Sequence, residues 1–294
     1  MHIEWLRGEP PMQLKDLKSM VVYSSPAGTT HHVARVIADA LKGAGSEAQL
    51  LDLGRRSDYA EVDRCMKRMG NDCFLWIGTP VYAGHAVPSI TRFISGLPER
   101  NGSYAVPFVT WGAVTSGVAL YEMGKMLSEK GYILLGAAKI VAVHSMMLQS
   151  SSPLGAGHPD TRDDRMVANL FAEVNSKLES GAVQPLSLED LNYQPREVQE
   201  WLQKVNIKAA KKMLPPLKLV EEKCTRCGIC EKECPAFAIE LGPYPRFGDE
   251  CFLCYNCFRL CEEGAIRCDL SPIEDMLKEK AAQNPEQPLT QVFV

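Results

Sequence analysis

The sequence predicts an α/β chain: a doubly wound, five-stranded parallel sheet followed by a small cysteine-rich α+β unit. Three observations predict it. Short apolar runs alternate with helix-period patterns from residue 18 to 183. Strands that alternate with helices imply a parallel sheet covered on both faces. Eight of the eleven cysteines crowd between Cys224 and Cys261. The chain has 294 residues, and single cores usually stop growing near ~250–300 residues, so two units are expected.

The N-terminal extension, 1–17, contains Glu9-Pro10-Pro11. Its start, Met1-His2-Ile3-Glu4-Trp5-Leu6-Arg7, carries an acid and no apolar core, unlike a signal peptide. The sheet-forming region, 18–183, opens with a strand at Met20-Val21-Val22-Tyr23. Val33, Val36, Ile37, Ala40 and Leu41 then recur at helical spacing. Further strands are expected at Ala48–Leu53, Cys73–Ile77, Ala105–Thr110 and Leu134–Val143. Helices are expected near 58–69, 87–96 and 118–130. A last one, about Asp163–Ser180, carries Met166, Leu170, Phe171, Val174 and Leu178 on one face. Asn101–Tyr121 is uncharged and long enough to span a bilayer. Pro107, Gly112 and Gly117 interrupt it, so it reads as strand, loop and helix start, and no transmembrane segment is expected.

Residues 184–216 read as a linker holding one amphipathic helix, Arg196–Met213. Val198, Trp201, Leu202, Val205 and Ala209 form its stripe, and Lys204, Lys208, Lys211 and Lys212 its basic face. That face either docks an acidic partner or a membrane, or is the solvated side of a connecting helix. Residues 217–270 form the cysteine unit. The final stretch, 271–294, starts with Ser271-Pro272-Ile273-Glu274, a capping-box pattern whose helix runs to about Ala282. Its apolar end, Val292-Phe293-Val294, is expected to pack on its own chain or on a second copy in a homodimer.

Composition narrows the function. Hydrophobic residues make up 46% and charged residues 23%, enough apolar material for a buried core. A net charge of −4 argues against nucleic acid, whose binders need a basic face. Without a secretory signal, a reducing cytoplasm is expected, where clustered thiols favour metal or redox chemistry over disulfides.

The cysteine spacing is specific. Cys224-x-x-Cys227-x-x-Cys230-x-x-x-Cys234-Pro235 recurs 27 residues later as Cys251-x-x-Cys254-x-x-Cys257-x-x-x-Cys261, and Ala238-Ile239 recurs as Ala265-Ile266. One unit has been duplicated. A tight CxxCxxC loop reaches three iron corners of a cubane, and the fourth ligand comes from the other run. Cluster 1 is thus assigned to Cys224, Cys227, Cys230 and Cys261, and cluster 2 to Cys251, Cys254, Cys257 and Cys234. Zinc is the competing reading of paired CxxC units, but interlocked runs of four with a Cys-Pro step suit it poorly. Residues 217–270 resemble the bacterial two-[4Fe-4S] ferredoxins, with Glu262 standing where the repeat would place a second proline. Cys65, Cys73 and Cys268 are expected to be structural thiols, with a redox role open for Cys268.

Three loops at the carboxyl ends of strands supply a second site. Tyr23-Ser24-Ser25-Pro26-Ala27-Gly28-Thr29-Thr30 leads into a helix and offers hydroxyls and backbone N–H groups to a phosphate. Gly78-Thr79-Pro80-Val81-Tyr82-Ala83-Gly84-His85 and Thr110-Trp111-Gly112-Ala113-Val114-Thr115-Ser116-Gly117 supply planar aromatics and small residues where open α/β sheets place ligands. Together the loops resemble those of flavodoxins over residues 18–183. That resemblance implies FMN, with Ser24, Ser25, Ala27, Gly28, Thr29 and Thr30 at its phosphate. Pro80, Val81, Tyr82, Gly84, Thr110, Trp111, Gly112, Ser116 and Gly117 fall to the isoalloxazine, with Tyr82 and Trp111 stacking. Pro26, lacking an N–H, and Ala27 depart from the family's loop. His31 and His32 read as solvated helix residues or phosphate contacts, and His85 as a candidate proton donor at the flavin edge. His144 and the turn 153–159 could close over the ring.

The whole chain resembles a flavodoxin–ferredoxin fusion, a family of mostly anaerobic bacteria and archaea. That implies an oxidoreductase-type electron carrier that relays electrons between two [4Fe-4S] clusters, FMN and redox partner proteins. Two rivals remain: an FMN-dependent reductase of a quinone or activated double bond, and a redox-dependent sensing or maturation partner. Clusters and FMN phosphate would make the loaded protein more acidic than −4, favouring partners with a basic face.

Overall fold

The computed structural model describes residues 13–68, 73–99, 102–181 and 183–294. The N-terminal extension up to residue 12 lies outside them. Strand β1 (Lys18–Tyr23) is buried beyond its first residue and runs parallel between β2 (Ala48–Asp52) and β3 (Cys73–Tyr82). β4 (Tyr104–Trp111) follows on β3, and β5 (Ala137–Val141) on β4, again parallel. The order β2-β1-β3-β4-β5 is the flavodoxin-like, doubly wound arrangement expected. All eight residues of β4 are buried, as a parallel strand covered on both faces requires. Helices α1 (Thr29–Gly43) and α5 (Thr161–Ser180) pack their apolar stripes on one face. Residues of α2 (Arg56–Arg68), α3 (Pro88–Gly96) and α4 (Ala119–Glu129) join the core on the other. Among the described residues no helix is long and apolar enough to cross a membrane.

The tail packs on its own chain. β10 (Gln291–Phe293) adds to β5 antiparallel and covers the sheet edge. The expected strand at 134–143 is split around Gly136, where a Cβ would lie 2.8 Å from Leu170 and 2.9 Å from the Phe293 carbonyl. Just before β10, Glu286 forms a 2.6 Å ion pair with Lys139 of β5, and both side chains are more than nine-tenths buried.

Two helical expectations need correction. The linker helix is broken into α6 (Arg196–Leu202) and α7 (Ile207–Lys211). The carbonyls of Leu202 and Val205, which a continuous helix would spend on its own ladder, lie 3.1 and 2.7 Å from His85 Nε2. Asn206 then caps α7 by accepting the Ala209 N–H. Lys204 falls in the break, so the four lysines do not share one helix face. The capping box at Ser271 does not form either. α8 (Ser271–Gln283) begins one residue early, with Leu270 at the N-cap and no side-chain cap. The Ser271 N–H goes to Asp269 Oδ1 at 3.0 Å, and Glu274 accepts from Ser150 and Lys278.

The cysteine region shows its duplication in the backbone. β6 (Lys218–Leu219) pairs with β9 (Ile266–Arg267), and β7 (Ile239–Leu241) with β8 (Pro245–Phe247). The short helix Ile229–Lys232 recurs as Asn256–Arg259. Positive φ recurs at the same offset, Arg226 with Leu253, Gly228 with Tyr255, and Phe237 with Gly264. Non-glycine residues hold such angles only where the surroundings over-determine them. This region shares its core with the sheet: Cys234, Ala236, Ile239, Phe252 and Cys257 belong to the same buried cluster as Leu51, Leu53, Val62 and Ile90.

The Glu286–Lys139 pair generates a test. Glu286→Gln strands a buried ammonium and should cost about 3 kcal/mol in urea unfolding. Desolvation pushes the Glu286 carboxyl up, but hydrogen bonds from Lys139, Ser116 and Gln194 outweigh it and hold it below the usual range. Its contribution is therefore present above the unfolded carboxylate's pKa and lost as pH falls through the lower folded value. The variant should lack that acid-side loss.

Candidate functional site

β1, β3 and β4 end side by side, with Tyr23 opposite Gly78 and Pro80 opposite Thr110. Their three following loops therefore meet at one edge of the sheet. Gly78 must be glycine, since a Cβ there would lie 2.1 Å from the Phe108 ring. Beyond the strand ends opens a cavity. Nine of the sequence-predicted residues line it: Ala27, Thr29, Thr30, Pro80, Val81, Tyr82, Thr110, Trp111 and Gly112.

The first loop is braced from below. Ser25 Oγ accepts the His31 N–H at 2.8 Å, while Asp52 accepts N–H groups from Gly54 and Ser25. Desolvation raises the Asp52 carboxyl to about 6 against those bonds. Thr30 and Thr110 share a 2.7 Å hydroxyl bond that ties the first loop to β4. Gly28, at φ +89°, leaves the N-terminus of α1 without a side-chain cap. Ser24 Oγ is fully buried and has no partner. Ser25 thus takes the third amide of α1, and its first two residues, Thr29 and Thr30, line the cavity, where a helix N-terminus suits a phosphate.

The opposite wall of the cavity is aromatic. Trp111 lines the cavity, buried, with Nε1 unpartnered, and Lys139 Nζ lies 5.7 Å from its ring. Tyr82 lines it too, and burial raises its hydroxyl to about 12. The other walls come from distant segments: Ile207, Ala210 and Leu214 around α7, Ile273 and Leu277 of α8, and Phe252 from the cysteine loops. The Phe252 ring meets Tyr82 edge-on at 5.7 Å. Sequence reasoning missed this roof, because nothing local marks an apolar residue as the lid of another unit's cavity. His144 also lines the cavity; its Nδ1 accepts the Met146 N–H, and burial lowers it to about 4. At neutral pH its Nε2 is then the protonated nitrogen.

Several predicted residues sit elsewhere. Ser116 bonds Glu286, Tyr193 and Gln194 in a buried polar cluster. Gly117 packs so close to Gly84 that a Cβ would lie 2.1 Å from its carbonyl oxygen. Leu202 fills the space beside Gly84. These three support the loops and do not line the cavity. His85, the proton-donor candidate, is also off the cavity, between Glu122 at 2.8 Å and the linker carbonyls. His31 bonds the Tyr23 hydroxyl and His32 bonds Asp164.

The cysteines gather in two sets. Cys224, Cys227, Cys230 and Cys261 line a cavity of about 630 Å³, with Cys257 at its inner wall. Cys234 lies among the second run, where its charge acts on Cys251, Cys254 and Cys257. Each fourth cysteine thus lies with the other run. Matching N–H···S bonds, Ala238 to Cys234 at 3.4 Å and Ala265 to Cys261 at 3.3 Å, repeat across the duplication. As thiols Cys230, Cys251, Cys254 and Cys257 resist ionisation, burial driving Cys254 to about 12; a coordinating metal would deprotonate them. Cys268 hydrogen-bonds the Pro215 carbonyl and Tyr255.

Residues 217–240 match the 4Fe-4S binding domain family. No curated protein matches the chain. Among solved structures it is similar to rubredoxin oxygen:oxidoreductase of Desulfovibrio gigas (15% identity, TM-score 0.41), covering 57% of this chain and 37% of that one. It is also similar to an archaeal flavodoxin (18%, TM-score 0.41; 55% and 99% covered). A third is the apo form of the NADH:FMN oxidoreductase EmoB (18%, TM-score 0.42; 57% and 94%). The flavodoxin-like reading of the sheet rests on its strand order, and the 4Fe-4S match on residues 217–240.

His85 yields a titration test. Both ring nitrogens face acceptors, which only the imidazolium satisfies. The Glu122 hydrogen bond raises its pKa above 6.5 against desolvation. The stability it adds is complete below the unfolded value and lost as pH rises through the folded one. NMR titration should find His85 above 6.5, and His85→Gln should flatten the decline of stability on that alkaline side.

Proposed function

We propose that the protein is an electron carrier that binds FMN through residues 18–183 and two [4Fe-4S] clusters through residues 217–270. FMN supplies one- and two-electron chemistry, while each cluster passes single electrons. The observation that carries this reading is the position of Phe252. It lies between Cys251 and Cys254, two ligands assigned to cluster 2, and forms a wall of the FMN cavity against Tyr82. Cluster 2 is thereby the neighbour of the flavin. Cluster 1 is the outer one: Cys227 is exposed, and Ile229, Leu260, Glu262 and Glu263 stand exposed around it. Electrons exchanged with a partner protein at cluster 1 pass through cluster 2 to the flavin, in either direction.

The chain's own residues hold and shield. The uncapped start of α1, with the Ser24 and Thr29 hydroxyls, receives the phosphate. Tyr82 and Trp111 flank the ring, and the apolar roof from α7 and α8 excludes water from it. A second reading, an FMN-dependent reductase of a quinone or activated double bond, is favoured by His144, whose protonated Nε2 lies on a group in the cavity wall. Anaerobic turnover with a quinone, abolished by His144→Phe without loss of flavin, would select it.

Anaerobically purified protein should hold about eight irons, four per cubane, and take up one FMN. Four irons, or FAD in place of FMN, would overturn the assignment. Cys261→Ala should disturb the cluster held by Cys224, Cys227 and Cys230 and spare the other, read by electron paramagnetic resonance of the reduced protein. Loss of the second cluster instead would refute the crossed ligation.

A further inference from the structure

Arg259 belongs to no site assigned so far, yet it touches three loops around the proposed flavin: the cluster 2 loop, the phosphate loop and the loop after β5. Its Nη1 donates to the Cys254 carbonyl at 2.9 Å and to the Ser145 carbonyl at 3.3 Å. Its Nη2 donates to the Pro26 carbonyl at 3.0 Å. Cys254 is an assigned cluster 2 ligand. Ser145 lines the cavity beside His144, and Pro26 precedes cavity-lining Ala27 in the phosphate loop. Pro26 has no N–H to give, so its carbonyl is the backbone group left for a partner to grip.

The duplication provides an independent comparison. The equivalent position in the first repeat, 27 residues earlier, is Lys232, which is exposed. The side chain that faces solvent in one half has become, in the other, a half-buried guanidinium at the joint with the sheet. A planar fork can serve three carbonyls in different directions, whereas an ammonium is a point charge that cannot span them.

We propose that Arg259 is the positioning residue that clamps the cluster 2 loop to the phosphate loop and to the loop after β5 that lines the flavin cavity, so that flavin retention and electron transfer from cluster 2 depend on one side chain. The proposal rests on the FMN reading. Without the clamp, Pro26 and Ser145 lose the group that holds them to the cysteine region, and Phe252 loses the anchor seven residues along its own chain. The carbonyls are also left to find water at a joint packed with side chains.

The test uses the full-length holoprotein, reduced anaerobically in a stopped-flow instrument, with flavin and cluster absorbance followed together. Arg259→Gln should keep its iron but bind FMN about tenfold more weakly, the scale of one lost charge-assisted hydrogen bond. At saturating FMN its transfer between cluster 2 and flavin should slow about tenfold or more, since a displacement of about 1 Å suffices for such losses. Arg259→Lys keeps the stem and the charge and guards against a folding defect; it should restore neither quantity in full. An unchanged transfer rate in both variants, with clusters and flavin intact, overturns the clamp. Complete rescue by lysine also overturns it, because charge alone would then account for the effect. A wild-type chain that takes up no FMN is recognised before any variant is made, and it removes the FMN reading together with the clamp.

Discussion

The cysteine region and the sheet share one hydrophobic core, and most of the molecule's particular features follow from that sharing. A segment of some fifty residues is too small to bury much apolar surface alone. Here Cys234, Ala236, Ile239 and Phe252 turn inward onto side chains of the sheet and α2. Tyr59 meets Phe237 edge-on, and Gly54 sits so near Pro235 that a Cβ would lie 3.1 Å from it. The burial fixes which cysteine loop faces the cavity: Phe252 lines it, and the first cysteine loop is left with Cys227 at the surface.

The same economy governs the ends of the chain. β10 and Glu286 return to the sheet, and Glu286 draws Ser116 and Lys139 into a polar cluster with Tyr193 and Gln194. Lys139 also lies 4.2 Å from the Tyr193 ring. A buried ammonium is tolerated only with a close carboxylate and further donors to complete it. That arrangement takes Ser116 away from any ligand. α8 uses Ile273 and Leu277 to pack on Met147, beside the cavity. The cavity is thus roofed by segments that follow the sheet in sequence.

Much of this was legible in the sequence. Strands β1, β3 and β4 were found from apolar runs because a strand buried on both faces leaves little choice of residue. The 27-residue offset was found because cubane ligation dictates cysteine spacing over a few covalent bonds. The broken helix at 203–206 was not legible: its apolar stripe continues, and the break is made by a histidine more than a hundred residues away. The capping box failed for a local reason, since the helix starts at Leu270 and Asp269 takes the Ser271 N–H. Ser116, Gly84 and Gly117 carried the pattern of a ring-binding loop while serving to support it.

The sequence by itself determined the sheet, the two cysteine runs and the loops gathered at the strand ends. These depend on local periodicity and on ligand spacing, which are written in adjacent residues. Only the tertiary structure decided which cysteine loop faces the cavity, what roofs it, where His85 points and what Arg259 holds. Those are choices of partner between distant segments. An arginine in a cysteine-rich loop reads the same whether it faces water or three buried carbonyls, until packing brings the carbonyls to it.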